Sequence, residues 1–114
     1  MNKIILFLAL MYSVLSYGQS SEKYNSDYEN FFRAEELYEK AQYAAARREF
    51  RSFIDEFDHP NDPMYIKASY YEAISALELY NNDAVTLLLA FNKNYPESIY
   101  LPSIYFKLGK YYYY

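Results

Sequence analysis

The sequence predicts an all-α protein built from repeated, antiparallel helix pairs, and three observations lead to this class. First, one apolar segment recurs 38 residues later in the chain. The residues Ala46, Phe50, Phe53 and Phe57 correspond, in that order, to Ala84, Leu88, Phe91 and Tyr95. Second, spacings of four, seven and eleven from the alanine place each set on one stripe of an α-helix. Third, the offset lies within the period of roughly 20 to 50 residues that is typical of solenoids, in which each unit buries its apolar face against its neighbours.

The N-terminus has the three-part order of a secretory signal peptide. A charged start, Met1-Asn2-Lys3, precedes an apolar run from Ile4 to Leu15 and small or polar residues at 16–20. We expect a signal peptide at residues 1–18, with cleavage near Gly18, and a linker at residues 19–26. The apolar run is shorter than the roughly 20 residues that a membrane-spanning helix needs. Export is therefore expected, and an N-terminal membrane anchor is the alternative.

Composition limits what the mature chain can be. About 96 residues remain after cleavage, enough for one small domain with a modest core. There is no cysteine, so we expect neither a disulfide nor a lipid attached to cysteine. The net charge of −4 becomes −5 without Lys3, which disfavours a nucleic-acid partner because phosphate-binding surfaces are basic. The 17 tyrosines favour partly wet interfaces, since a tyrosine buries area and keeps a hydroxyl for water or a partner.

The first helix pair is expected at residues 27–58. Residues 26–29, Ser-Asp-Tyr-Glu, have the pattern of a capping box, so a helix should start there and run to about Lys40, with Glu36 and Lys40 as an ion pair. Its apolar stripe consists of Phe31, Ala34, Leu37, Tyr38 and Ala41. No glycine, proline or asparagine lies between Lys40 and Tyr43. The turn there is predicted from the repeat alone, and one helix over residues 27–57 is the alternative.

The second pair is expected at residues 63–96 and an incomplete third unit at residues 99–114. Residues 58–63 contain two prolines and should form a loop, with Asp62 capping the third helix and Pro63 in its first turn. The third helix carries Ile66, Tyr70, Ala73, Ile74 and Leu77 on its apolar side. Residues 81–83 should end it and cap a fourth helix at about 83–95, and a fifth helix begins near 98–102. Because the fifth helix has neither a cap nor a partner, we expect the chain to be the N-terminal piece of a longer protein.

The fifth helix carries the motif of a known repeat family. Four residues have the spacing aromatic-x2-Leu-Gly-x2-Tyr: Tyr105, Leu108, Gly109 and Tyr112. Ala84 and Pro96 match the alanine in the second helix of that family and the proline after it, so residues 27–114 resemble tetratricopeptide repeats. The resemblance implies about two and a half helix pairs stacked in a right-handed superhelix. The sequence departs from the family at Arg33 and Asp58, and Ala73 lies one position closer to Ala84 than the family spacing requires.

The signal peptide and the repeats together are similar to periplasmic and outer-membrane-associated repeat proteins of Gram-negative bacteria. That similarity implies a non-enzymatic scaffold or adaptor that binds a protein or peptide of the cell envelope. The alternatives are a carbohydrate- or small-ligand-binding module with a tyrosine-lined concavity, the sensor segment of a longer signalling protein, and a structural spacer. In the family the first helix of each unit lines the concave face, which implies these candidate partner-binding residues: Tyr28, Phe31, Glu35, Tyr38, Glu39, Tyr70, Ile74, Leu77, Glu78, Phe106, Lys110 and Tyr113.

Few residues could carry chemistry. His59 is the only histidine, and its loop predicts a solvated turn residue. Four nearby carboxylates lack the alternating spacing and the central glycine of a calcium loop: Asp55, Glu56, Asp58 and Asp62. No catalytic motif occurs, so we expect no enzymatic activity, no cofactor and no metal.

The remaining charged residues are expected on solvated helix faces. Arg47, Arg48 and Arg51 lie along the second helix, and Arg51 stands four positions before Asp55, which predicts an ion pair within that helix. Glu35, Glu39 and Glu78 could form a carboxylate cluster, and solvated faces explain them equally well.

Overall fold

The computed structural model describes residues 26–113, and every regular element in that range is helical. The five helices are α1 (26–39), α2 (Tyr43–Phe57), α3 (Pro63–Glu78), α4 (Ala84–Asn94) and α5 (Leu101–Tyr113). The predicted all-α class is confirmed. The expected signal peptide and nearly all of the linker lie outside the described residues, as does Tyr114.

The turn between α1 and α2 is present, so the break predicted from the repeat is confirmed and the alternative of one helix over residues 27–57 is wrong. Ala41 takes the left-handed backbone conformation, with a φ of 59°. The Ala41 N–H donates to the Tyr38 carbonyl and the Gln42 N–H to the Leu37 carbonyl, each at 2.9 Å. This pair of bonds is the Schellman arrangement that ends many helices, here built without glycine.

The turn between α3 and α4 repeats the same geometry. Tyr80 has a φ of 56°, its N–H donates to the Leu77 carbonyl at 3.0 Å, and the Asn81 N–H donates to the Ala76 carbonyl at 2.9 Å. Ala41 and Tyr80 are 39 residues apart, whereas the buried alanines that follow them, Ala46 and Ala84, are 38 residues apart. The second turn is therefore one residue shorter than the first. This difference explains why Ala73 lies one position closer to Ala84 than the family spacing requires.

The two predicted caps have different outcomes. Asp62 caps α3, because its side chain accepts a hydrogen bond from the Met64 N–H at 2.8 Å, and Pro63 begins the helix. Asp83 precedes α4, but its side chain makes no capping bond to that helix. The Asp83 carboxylate instead accepts from the Arg47 guanidinium of α2 at 2.5 Å. The expectation that residues 81–83 cap α4 therefore holds only for position: Asp83 occupies the N-cap, and its carboxylate bonds the Arg47 guanidinium instead of an α4 N–H.

The apolar residues form two buried clusters, one in each half of the chain. The first contains Phe31, Ala34, Ala46, Phe50, Phe53 and Ala68. The second contains Tyr70, Ala73, Ile74, Ala76, Leu77, Ala84, Leu88, Phe91, Ile104 and Leu108. Tyr38 and Tyr71 pack against both clusters and so connect them. The predicted stripes of α2 and α4 are confirmed, with Phe57 and Tyr95 half-buried at their ends.

The helices lie in an alternating order. α3 packs against α2 on one side and α4 on the other, and α4 contacts α5. α1 contacts α3 through Glu35 and Lys67, and α5 contacts α3 through Ser103 and Tyr70. The side on which α1, α3 and α5 are neighbours is called the first-helix face below. Among the described helices, none combines the length and the apolar character that crossing a membrane requires.

Candidate functional site

Three pairwise contacts hold α1, α3 and α5 together on the first-helix face. Lys67 of α3 lies 2.9 Å from the Glu35 carboxylate of α1. On the other side of α3, the Tyr70 and Ser103 hydroxyls are 2.7 Å apart, and the Lys107 ammonium lies 3.8 Å from the Glu78 carboxylate. Partly exposed ion pairs of this kind stabilise a fold by only about 0–1 kcal/mol. Their main effect here is to decide which charges on the face are already neutralised.

The junction of α1 and α3 is closed by packing. The Lys67 ammonium stands 5.7 Å from the Phe31 ring centroid and 5.8 Å from the Tyr71 ring centroid. Its hydrogen bond to Glu35 raises the pKa of Lys67, so the ion pair persists at neutral pH. Tyr38 packs between Tyr43 and Tyr71, with ring centroids 5.6 and 4.6 Å away. Burial raises the pKa of Tyr38, so its hydroxyl stays neutral and suits packing better than proton transfer.

The junction of α3 and α5 is open. A hollow of about 180 Å³ lies between them, and its lining is Leu77, Glu78, Tyr80, Phe106, Lys107, Lys110 and Tyr111. Lys107 is paired with Glu78, whereas no carboxylate of residues 26–113 pairs with Lys110. Phe106 is 72% exposed beside it. This junction, named the α3–α5 hollow, therefore offers a cation without a described counter-ion next to accessible aromatic surface.

The outer side of α5 continues this surface. Tyr105, Phe106, Gly109, Lys110 and Tyr113 line a second, shallower concavity of about 480 Å³. A Cβ placed on Gly109 would meet no atom within 4 Å, so no described neighbour requires glycine there. Of the consecutive tyrosines at residues 111–113, Tyr111 is half-buried with its ring centroid 5.7 Å from that of Tyr80, whereas Tyr112 and Tyr113 are exposed.

The twelve candidate residues fall into three groups by burial. Four are core residues and present almost no surface to a partner: Phe31, Tyr70, Ile74 and Leu77. Two are half-buried at the junction of α1 and α3: Glu35 and Tyr38. Six are exposed: Tyr28, Glu39, Glu78, Phe106, Lys110 and Tyr113. Of the exposed six, only Glu78, Phe106 and Lys110 share one concavity, the α3–α5 hollow.

Sequence reasoning missed Lys67 and Lys107, the two lysines that neutralise carboxylates on this face. A signal for Lys67 was present, because the offset that relates Ala41 to Tyr80 also relates the candidate Tyr28 to Lys67. The signal for Lys107 is weaker. Lys107 could be predicted to pair only if α5 were known to lie beside α3, and the sequence of the incomplete third unit does not establish that.

The arginines of α2 form hydrogen bonds and ion pairs with residues of other elements. Glu72 of α3 is 4% exposed and accepts from Arg51 at 3.0 Å, with Arg47 at 3.6 Å. Arg47 also donates to Asn81 at 2.6 Å and to Asp83 at 2.5 Å, and this contact lowers the pKa of Asp83. The prediction that Arg51 pairs with Asp55 is wrong, because the buried carboxylate of Glu72 takes its place.

The acidic loop does not form a metal site within the described residues. No group of three or more histidine, cysteine or acidic side chains there is arranged to hold an ion. The ring of His59 stands edge-on to Phe57 at 5.1 Å in an exposed turn, and the Asp62 carboxylate is taken up by its helix cap.

Comparisons with known proteins add no family. No protein-family model matches the chain, and neither a curated protein nor a solved structure matches it. The resemblance to tetratricopeptide repeats therefore stays a prediction that depends on the residues of the motif.

Proposed function

We propose that this chain is an exported, tetratricopeptide-like scaffold whose first-helix face binds a peptide segment of another envelope protein, without performing chemistry. Two features support the repeat: the turns at Ala41 and Tyr80 have the same geometry, and Ala46 and Ala84 are both fully buried at equivalent places. Export depends on the order of residues 1–18 in the sequence.

The observation that carries the binding proposal is the α3–α5 hollow. It combines an ammonium that no described carboxylate neutralises, Lys110, with the exposed ring of Phe106. Aromatic residues with nearby polar groups are favoured at protein interfaces, because they bury large areas and fix orientation. The ligand that fits is a peptide with an acidic side chain or a terminal carboxylate next to an apolar side chain.

The junction between α1 and α3 also favours the α3–α5 hollow as the peptide site. Between α1 and α3 the charge of Lys67 is already paired with Glu35, and its flanks are covered by Phe31 and Tyr71. An acidic peptide gains little there, since it would have to displace a pair with a short contact. The binding energy is therefore expected to concentrate at α5, with Glu78 limiting how much negative charge the hollow accepts.

Selection of a random peptide library on the full 114-residue chain tests this proposal. We expect enrichment of peptides that contain an acidic and an apolar residue. Lys110→Glu should weaken the selected peptide by about tenfold or more, the loss of roughly one charge-assisted contact. Lys93→Glu, at an exposed lysine in the last turn of α4, is the matched control and should leave affinity unchanged.

A second pair of variants tests the apolar half of the contact. Phe106→Ala should weaken the same peptide, whereas Leu89→Ala, at a side chain that is 54% exposed on α4, should not. Equal effects of both lysine variants, or the absence of any enriched peptide, would contradict binding at this hollow.

A further inference from the structure

A concavity lies on the side of α3 that faces away from the first-helix face. On α3 it uses Tyr65, Ser69, Glu72 and Ala73, which stand on the opposite side of the helix from Lys67 and Glu78 at about 100° per residue. It has a volume of about 600 Å³ and is named the outer groove. Its full lining is Arg51, Ile54, Asp55, Pro60, Asn61, Tyr65, Ser69, Glu72, Ala73, Leu87, Ala90, Phe91, Asn94 and Tyr95.

The outer groove exists because α2 and α4 both pack on α3 and make little contact with each other within residues 26–113. Small side chains keep it open, with Ala73 at its floor and Ala90 at its exposed wall. The groove is longer than one side chain, since Tyr65 and Glu72 are two helical turns apart, about 10 Å along α3. A volume of this size lies within the range of roughly 300–1,000 Å³ that small-molecule sites occupy.

One end of the groove is aromatic. Tyr65 and Tyr95 both line it, and the Tyr95 hydroxyl donates to the Pro60 carbonyl at 2.7 Å, which fixes the position of that ring. Burial raises the pKa of Tyr95, so this donor keeps its proton at neutral pH. The buried ring of Phe91 continues the apolar surface below them. A flat ring held in this way presents a face against which the apolar side of a ligand can lie.

The polar lining has a particular balance of charge. Arg51 is already paired with the buried Glu72, so it has little excess charge to offer an anion. Asp55 is exposed and makes no ion pair in residues 26–113, which further disfavours an anion. The other polar groups are neutral, namely the amides of Asn61 and Asn94 and hydroxyls such as that of Ser69, which donates to the Tyr65 carbonyl at 2.9 Å. Amides offer both donors and acceptors.

This combination selects the chemical class of the ligand. A wholly apolar ligand would remove water from Asp55 and the two asparagines without replacing their hydrogen bonds, which is costly. An anion meets an unpaired carboxylate and no free cation. A neutral molecule with apolar ring faces and many hydroxyls satisfies both the tyrosine rings and the amides. We infer that the outer groove binds a neutral oligosaccharide, on a surface separate from the peptide site proposed above.

Matched saccharide probes test this inference by NMR on the ¹⁵N-labelled full chain. The neutral probes are the tetramers of N-acetylglucosamine, β-1,4-glucose and α-1,4-glucose. The cationic tetramer of glucosamine and the anionic tetramer of galacturonic acid have the same length and differ in charge. At about 10 mM, roughly ten times a weak dissociation constant for such a ligand, at least one neutral tetramer should shift the amides of Tyr65, Ser69 and Asn94.

A filling variant provides the site control. Ala90→Phe places a ring in the groove at an exposed helical position, and it should weaken the neutral tetramer by about tenfold or more. Ala44→Phe makes the same change at an exposed alanine of α2 that does not line the groove, and affinity should not change. Tyr65→Leu should reproduce the loss by removing one ring face.

Three results would overturn the inference. The first is the absence of amide shifts in the groove with all three neutral tetramers. The second is a response to the cationic or anionic tetramer alone, which would assign a charged ligand instead. The third is equal binding by Ala90→Phe and the unsubstituted chain. None of these outcomes changes what Lys110→Glu does to peptide binding, so failure of the saccharide site and failure of the peptide site are distinguishable.

Discussion

Truncation of Phe50 tests whether the two buried clusters behave as neighbouring units of a stack. Phe50 is fully buried in the first cluster, with its ring 5.9 Å from Phe31 and stacked on Tyr71 at 5.6 Å. Its counterpart in the second cluster is Leu88, also fully buried. Phe→Ala at such a site costs about 3–5 kcal/mol and Leu→Ala about 2–5 kcal/mol, because a cavity adds to the lost burial.

The size of that cost decides which variants are useful. A domain of this length has a total stability of about 5–15 kcal/mol at most, so Phe50→Ala can remove most of it. Phe50→Leu keeps part of the volume and should cost within the usual range of about 0.5–3 kcal/mol, which leaves the chain folded. Phe32→Leu, at a ring that is 47% exposed, is the matched control and should change stability by no more than about 0.5 kcal/mol.

Native-state hydrogen exchange measures the effect residue by residue. In a stack, stability is a sum of unit terms and nearest-neighbour terms. Phe50→Leu should therefore lower the opening free energies of α1 and α2 amides most, those of α3 by an intermediate amount, and those of α5 least. Leu88→Ala should give the opposite gradient. Equal losses in α2 and α5 for both variants would refute this reasoning, since they would show one cooperative unit connected through Tyr38 and Tyr71.

Two further predictions concern backbone strain and pH. Ala41→Gly should raise the free energy of unfolding, measured by urea denaturation, by about 0.5–1 kcal/mol. The reason is that glycine takes the left-handed conformation without a Cβ clash. The control Ala44→Gly, within α2, should lower the free energy of unfolding by a similar amount. A loss in both variants would contradict the strain argument. Stability should also fall as pH rises above about 10, because the raised pKa values of Tyr38 and Lys67 mean that the folded chain keeps protons which the unfolded chain releases. Tyr38→Phe should flatten the fall, and a urea midpoint that stays constant from about pH 8 to pH 11 would contradict it.

The sequence contained the information for the helices and for which of their faces are buried. The alanine and the large apolar residues of α2 and α4 recur because they occupy equivalent places in the two clusters. Local signals also sufficed where a single residue type acts on its own backbone, as Asp62 and Pro63 do at the start of α3. In both cases the physical cause lies within a few residues of the position concerned.

The sequence could not predict which charges meet across helices. Arg51 has Asp55 within reach on its own helix and nevertheless pairs with Glu72 of α3. The choice follows from burial, because Glu72 at 4% exposure would otherwise keep only the longer contact with Arg47, whereas Asp55 is solvated. That choice depends on the register of α2 against α3. The outer groove was missed for the same reason, since its lining comes from three helices and a loop.

Neighbouring helices also determine which of the predicted binding residues are buried. Glu35 and Ile74 hold equivalent places on the first helices of their units, at the same offset as Ala41 and Tyr80. Ile74 is fully buried because α3 has helices on both sides, whereas Glu35 remains half-buried on α1. For this pair, the number of neighbouring helices decides whether a partner can reach the side chain, whereas Phe31 and Tyr70, related by the same offset, are both buried.

The two left-handed turns show what determines this fold. Ala41 and Tyr80 have a Cβ, so their conformation costs about 1–2 kcal/mol each relative to glycine, which adopts it freely. Nothing in residues 40–42 forces a break, and local preference alone would continue the helix. The break occurs because reversal at Ala41 brings the fully buried Ala34 of α1 and Ala46 of α2 into one cluster, in which Phe31 and Phe50 are also buried. Burial of large side chains at about 25 cal/mol per Å² exceeds the local strain. The repeat predicted this turn where local signals did not, because its period records the tertiary packing.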